Sequence, residues 1–239
     1  MNNNLFIRTF VFISMKNNYL YILALLSITV IVNSCKKSEP VPSFHYEYFG
    51  MEEGRYVIYD VVDITHDADL AQHDTVYYQV KTQWGQPYID NIGRNAREFN
   101  RYRRNTSSDA WQQTDVWTGI IVDRRAELIE ENQRVIKLFF APTSEKYWNA
   151  NAYNTFDELE SYYDDIHKEK TIGGTFFDST VVVDHVDEQN FIDDIRIYEV
   201  YAKGIGLVKS FYKKNNYQGT PEVDKGKELY YTYNSSGVE

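Results

Sequence analysis

The chain has one cysteine, Cys35, and therefore no partner with which to close an internal disulfide. Its fold must hold by packing and hydrogen bonding alone, and 239 residues are enough to build such a core. Basic charge is also short. Lys and Arg total 25 against 35 Asp and Glu, for a net charge of -10. A chain of that sign repels phosphate backbones, which argues against nucleic acid as a partner. The longest apolar run, residues 19–32 (YLYILALLSITVIV), is about 14 residues long. A membrane-spanning helix needs roughly 20. Several catalytic signatures are missing too: no GxSxG elbow, no HExxH pair, no EF-hand spacing and no phosphate-cradling glycine loop.

Aromatic side chains are abundant, at 16% of residues. They fall largely into a period of two, the signature of strands with one buried face. In TVYYQVKTQW (75–84), Val76, Tyr78, Val80, Thr82 and Trp84 alternate with wettable neighbours. RYVIYDVVDI (55–64) is apolar on both faces and reads as a more central strand. Further strands are predicted at 98–104, 115–122, 125–130, 134–141, 179–186, 194–202, 206–213 and 228–233. Glu131-Asn132-Gln133 reads as a hairpin turn, and Lys203-Gly204-Ile205-Gly206 as a tight turn with positive φ.

One segment departs from this rhythm. TFDELESYYDDIHKE (155–169) places Phe156, Leu159, Tyr163 and Ile166 at helical spacing, with Thr155 and Glu158 as a capping box. It is expected to form one short helix. The predicted fold is mainly β: a single antiparallel meander, half-barrel or barrel-like, with that helix covering an edge or concave face. Its strand order resembles that of bacterial lipoprotein carriers.

The N-terminus has the form of a secretory leader. Lys16 precedes the short apolar core, and Ser34 supplies a small side chain beside a cut. Residues 1–34 are expected to be the signal peptide, with Met15 as an alternative start. Val32-Asn33-Ser34-Cys35 resembles the lipobox of bacterial lipoproteins. The resemblance implies that the Cys35 thiol carries a diacylglycerol unit and that the new N-terminus is acylated. That accounts for a lone cysteine in an oxidising compartment. Several acyl chains anchor firmly where one does not. KKSEPVPS then reads as a tether, giving a lipidated tether at 35–48 and a β domain at 49–239. Arg8 and Lys16 are the only charged residues of the leader, so its removal takes the net charge from -10 to -12. Lys36 stands where inner-membrane lipoproteins carry aspartate. The resemblance thus implies the outer membrane, and Glu39 as the lone early acid favours its periplasmic face.

WNANAYN (148–154), FDSTVVV (177–183) and YEVYAKGIGLVK (198–209) resemble stretches of uncharacterised outer-membrane lipoproteins of the Bacteroidetes. That likeness implies location and brings no activity with it.

Candidate chemistry is sparse. His66, Asp69 and His73 lie in HDADLAQHD and carry metal-ligating groups, although the segment also suits a polar loop. His185 lies beside Asp184, Asp187 and Glu188, but neighbours in a strand face opposite ways. RNAREFNRYRR concentrates arginine, and Arg97, Arg101 and Arg103 are candidates for contact with a carboxylate, phosphate or lipid headgroup. Trp84 and Trp117, with Trp111, Trp148 and the tyrosines, are candidates for lining an apolar ligand cavity. The favoured expectation is a non-enzymatic, lipid-anchored envelope protein that binds an apolar or amphiphilic ligand or an envelope partner. No cofactor is expected beyond the acyl groups at Cys35. The alternatives are a hydrolase or metal-dependent enzyme built on the His and acid clusters, or a glycan-binding protein.

Overall fold

The computed structural model describes residues 43–239 apart from residue 220. The leader, Cys35 and the first part of the tether lie outside the described residues. Twelve strands follow in chain order: β1 (Arg55–Asp67), β2 (Gln72–Ile89), β3 (Asn95–Arg104), β4 (Gln112–Val122), β5 (Arg125–Glu130) and β6 (Gln133–Phe139) make the first half. β7 (Tyr147–Asn149), β8 (Glu160–Ile172), β9 (Thr175–Gln189), β10 (Asp193–Ala202), β11 (Gly206–Asn216) and β12 (Lys225–Val238) make the second. They form one antiparallel sheet ordered β6-β5-β4-β3-β2-β1-β12-β11-β10-β9-β8-β7. Every strand pairs with its sequence neighbours except at the β6/β7 break, and β12 returns to pair with β1.

The two outer strands of that order nearly meet, so the sheet curls into an almost closed barrel. Across the seam, the Ile136 amide donates to the Ala150 carbonyl at 2.9 Å. The Trp148 indole donates to the Ile136 carbonyl at 3.2 Å, and Tyr163 Oη bridges the Phe139 amide (2.9 Å) and carbonyl (2.7 Å). These bonds cover groups that an open edge would offer to another chain.

Short turns set the register. Glu131 and Asn132 both have positive φ (47° and 63°), the conformation of a two-residue hairpin turn. Asp123 and Arg124 (48° and 62°) do the same between β4 and β5.

The helix expected at 155–169 is not formed. Residues 160–172 are β8, paired through Tyr162↔Asp184 and Tyr163↔Val183 with β9. Phe156, the supposed first apolar contact, is 60% exposed. Aromatic and β-branched residues favour a pleated surface. The Val181-Val182-Val183 run of β9 supplies a partner that an isolated amphipathic turn lacks. Among the described residues the helical structure is limited to two 3₁₀ turns, Tyr46–Tyr48 and Ala68–Leu70.

Packing begins before residue 49, because Tyr48 is fully buried. Its hydroxyl lies 2.6 Å from both His167 Nδ1 and Ser179 Oγ. Gly50 has φ 62°, and a Cβ there would fall 2.4 Å from the Ile205 carbonyl oxygen. The N-terminal segment is thus seated against the β10–β11 turn, and it stoppers that end of the barrel.

Candidate functional site

Inward residues of the strands enclose a cavity of about 490 Å³. That lies within the roughly 300–1,000 Å³ typical of small-molecule sites. Alternation along the strands places Val57 and Tyr59 of β1, Thr82 and Trp84 of β2, and Phe99 and Arg101 of β3 on its wall. Trp84 packs on Phe99 with ring centroids 4.3 Å apart, and Phe99 on Trp117 at 6.4 Å. Phe49 forms the floor, edge-on to Trp84 at 5.1 Å. Gly119 makes room for that arrangement, since a Cβ there would lie 2.2 Å from the Trp84 ring. On the adjoining strand β12, Tyr231 lies edge-on to Tyr59 at 5.6 Å.

Two charged groups interrupt the apolar lining. One is centred on Lys137, whose ammonium lies 2.8 Å from Glu199 Oε1 and 3.7 Å from Glu130 Oε1. The second Glu199 oxygen accepts the Tyr201 hydroxyl at 2.6 Å and lies 4.0 Å from His185 Nε2. Two β-bulges aim these side chains. The β5–β6 register skips residue 137, and the β9–β10 register skips residue 185. An extra residue in one strand bends it locally and redirects the side chain. Burial by itself would raise the Glu199 carboxyl, but Lys137 and His185 outweigh it and hold it well below the carboxylate range. Burial would lower the Lys137 ammonium, and the Glu199 and Glu130 carboxylates reverse that, raising it above its ordinary value.

The second group lies at the end where β5 turns into β6. Arg101 donates to Asp115 Oδ2 at 2.9 Å and to the Tyr231 hydroxyl at 2.9 Å, and its guanidinium sits 5.6 Å from the Trp117 ring centre. The Trp117 indole donates to Glu131 at 3.2 Å. Burial opposes ionisation of Asp115, but hydrogen bonds from Thr114 and Arg101 prevail and lower its pKa. Exposed Glu131 belongs to the lining, so the cavity reaches the surface here. The strand directions put this mouth at the opposite end from the Phe49 floor.

Several residues singled out by sequence meet in this cavity: Trp84, Trp117 and Arg101 all line it. Arg97 does not. It donates to the Gly85 carbonyl at 2.8 Å and pairs with Glu53 at 3.3 Å. Arg103 lies over the Tyr78 ring, 3.7 Å from its centre. Trp111 stacks under Arg104 at 4.2 Å, and Trp148 packs on Tyr163 at 5.1 Å.

His66 and His73 are cross-strand partners with Nδ1 atoms 3.0 Å apart, and His66 Nε2 lies 3.3 Å from Glu228. Asp69 is not brought to them; it pairs with Lys225 at 2.8 Å. Among the described residues no group of three His, Cys, Asp or Glu side chains is arranged to hold a metal ion.

In the His185 neighbourhood Ser161 Oγ lies 2.7 Å from His185 Nδ1, while His185 Nε2 stays 4.0 Å from Glu199, beyond hydrogen-bond reach. The order Ser–His–Glu is that of a nucleophile with its base. Ser161 is fully buried, however, so a substrate carbonyl cannot approach its oxygen. Asp184, next in sequence, instead takes a two-pronged bond from Arg196 at 2.5 and 2.6 Å. On the outer face, Tyr198 and Phe211 stack at 5.1 Å with planes 12° apart, so each covers a ring face that a sugar would need.

Lys137, Glu199, Glu130, Asp115 and Tyr231 were not apparent from residue patterns. The available signal is a charge in an apolar phase: Glu199 alternates with Ile195, Ile197 and Tyr201. Lys137 gives no such signal, because the bulge that aims it breaks the alternation.

No family profile matches the chain, and no curated protein matches it. Among solved structures, a candidate lipoprotein from Parabacteroides distasonis ATCC 8503 superposes with a TM-score of 0.44 at 11% identity. The superposition covers 80% of this chain and 98% of that one. A likeness so distant carries nothing about role.

Proposed function

We propose that the chain is a lipid-anchored protein of the bacterial cell envelope whose barrel binds an elongated amphiphile in its interior. The observation that carries this reading is the cavity, which has aromatic walls, polar groups at separated places and an opening at one end. The lipobox-like Val32-Asn33-Ser34-Cys35 supports the anchor, and Lys36 supports an outer-membrane location. The mouth lies at the opposite end of the barrel from the Phe49 floor.

Residues 43–239 form one compact unit and contain all twelve strands and both buried clusters. A chain starting at residue 36 and secreted behind another leader therefore keeps the contacts that hold the fold. Its native mass is compared with its denatured mass. An extra mass that is lost on denaturation, and whose fragments identify an amphiphile, supports the proposal. A bare polypeptide mass that also resists loading with long-chain probes overturns the carrier reading. The anchor is tested separately, by metabolic labelling with an alkyne fatty acid and by fractionation. Label that persists in a Cys35→Ser chain overturns acylation at that residue.

A further inference from the structure

The cavity carries more acid than base, and its two cations are already engaged, Lys137 by two carboxylates and Arg101 by Asp115 and the Tyr231 hydroxyl. Lys137 faces Glu199 at 2.8 Å and Glu130 at 3.7 Å. Arg101 binds Asp115 at 2.9 Å, and Glu131 lies against Asp115 beside the same Trp117 ring. Acidic groups therefore outnumber cations two to one at both ends of the polar lining. In a low-dielectric interior that surplus acts strongly. A fatty-acid carboxylate entering here would meet like charge and would find no unengaged cation among the lining residues. An ammonium would meet carboxylates at the mouth and the faces of aromatic rings beside them. Trp117 already holds the Arg101 guanidinium over its ring, so the wall has the electrostatics of a cation site.

We infer that the ligand is a cationic amphiphile: a long apolar chain or ring system lying along Trp84, Phe99 and Tyr59, with an amine at Glu130 and Glu131. This rests on the carrier reading and sharpens it by naming the headgroup. It also reverses the simplest expectation for an arginine in a lipid-binding barrel, since Arg101 is held by Asp115 and Tyr231 and is not free to meet an anion.

The test uses three probes of one chain length below their micellar concentrations: dodecylammonium, dodecanol and dodecanoate. Binding is read from the fluorescence of the wall tryptophans and checked by calorimetry. We expect dodecylammonium to bind at least about tenfold more tightly than dodecanoate, with dodecanol between them. A Glu130→Gln/Glu131→Gln chain, shown by circular dichroism to be folded, should lose most of that preference. Equal or tighter dodecanoate binding overturns the headgroup assignment and leaves the carrier reading intact. A preference unchanged in the double variant assigns it to the overall negative charge of the protein and overturns the cavity site. Failure of all three probes to bind overturns both proposals.

Discussion

Lys137 and Glu199 lie 62 residues apart in sequence and face each other across the barrel, with Nζ and Oε1 2.8 Å apart. The pair joins β6, on one side of the seam, to β10 on the other. Its side chains are 17% and 10% exposed, so each charge depends on the other for compensation. We expect Lys137→Met to cost about 3–5 kcal/mol, because it leaves Glu199 buried with only His185 and Tyr201 beside it. Lys137→Met/Glu199→Gln should recover most of that loss. Urea unfolding of the three chains checks this. A single variant within about 1 kcal/mol of the parent, the range of exposed pairs, would mean that water already screens the pair.

The same pair sets a pH window. The folded Glu199 pKa is lowered below its unfolded value, so its stabilising contribution is present above about pH 4.3 and is lost as pH falls through the folded pKa. The folded Lys137 pKa is raised, so its contribution is present below about pH 10.4 and is lost as pH rises through the folded value. Between those limits the pair should add no pH dependence of its own. Thermal unfolding of the parent and of Lys137→Met/Glu199→Gln is measured from acid to alkaline pH. The difference between the two curves should be flat through neutrality, and the parent should lose stability relative to the double variant at both extremes. A difference that changes most near neutral pH would point away from this pair.

Gly119 is the inward position on which the Trp84 ring rests, and a Cβ there would come within 2.2 Å of it. Gly119→Ala must push Trp84 toward Phe99 and the cavity. We expect a loss of about 1–3 kcal/mol, the usual cost of crowding a packed wall. The emission of Trp84 should shift as its surroundings change. If Gly119→Ala leaves both stability and the near-ultraviolet dichroism unaltered, the wall is looser than described.

Much of this architecture is legible in the chain. Alternation in TVYYQVKTQW fixes which face of β2 turns inward, and so places Trp84 on the wall. The same argument reaches Arg101 with Phe99, two residues apart on β3. Where reading by period fails, the physical cause is identifiable. Residues 155–169 fit a helical spacing, yet they fold as a strand because β9 is there to pair with, and no local pattern reports a partner that arrives later in the chain. Lys137 and His185 sit at bulges, where a single extra residue reverses the inside-outside order that the pattern assumes. The engagement of Arg101 by Asp115 and Tyr231 depends on strands that adjoin only once the barrel closes, so arginine content alone suggests an anion site where the structure shows a compensated cation.

The carrier reading can also be tested by filling the cavity. Ser210 of β11 lines it, paired in register with Tyr231, and has space in front of it. Ser210→Trp would place an indole where the ligand chain should lie. Crowding a dense core costs about 1–3 kcal/mol, but here the added ring enters empty volume, so stability should stay within about 1 kcal/mol of the parent. Binding of a dodecyl probe should weaken by about tenfold or more, since the new side chain takes up apolar contact surface that the probe would otherwise bury. Isothermal calorimetry and urea unfolding on the same preparation separate the two effects. Weakened binding at unchanged stability places the probe inside the barrel. Unchanged binding at unchanged stability means that the probe sits elsewhere, on the outer sheet or at an exposed hairpin tip such as Phe191, and that the cavity is not the site.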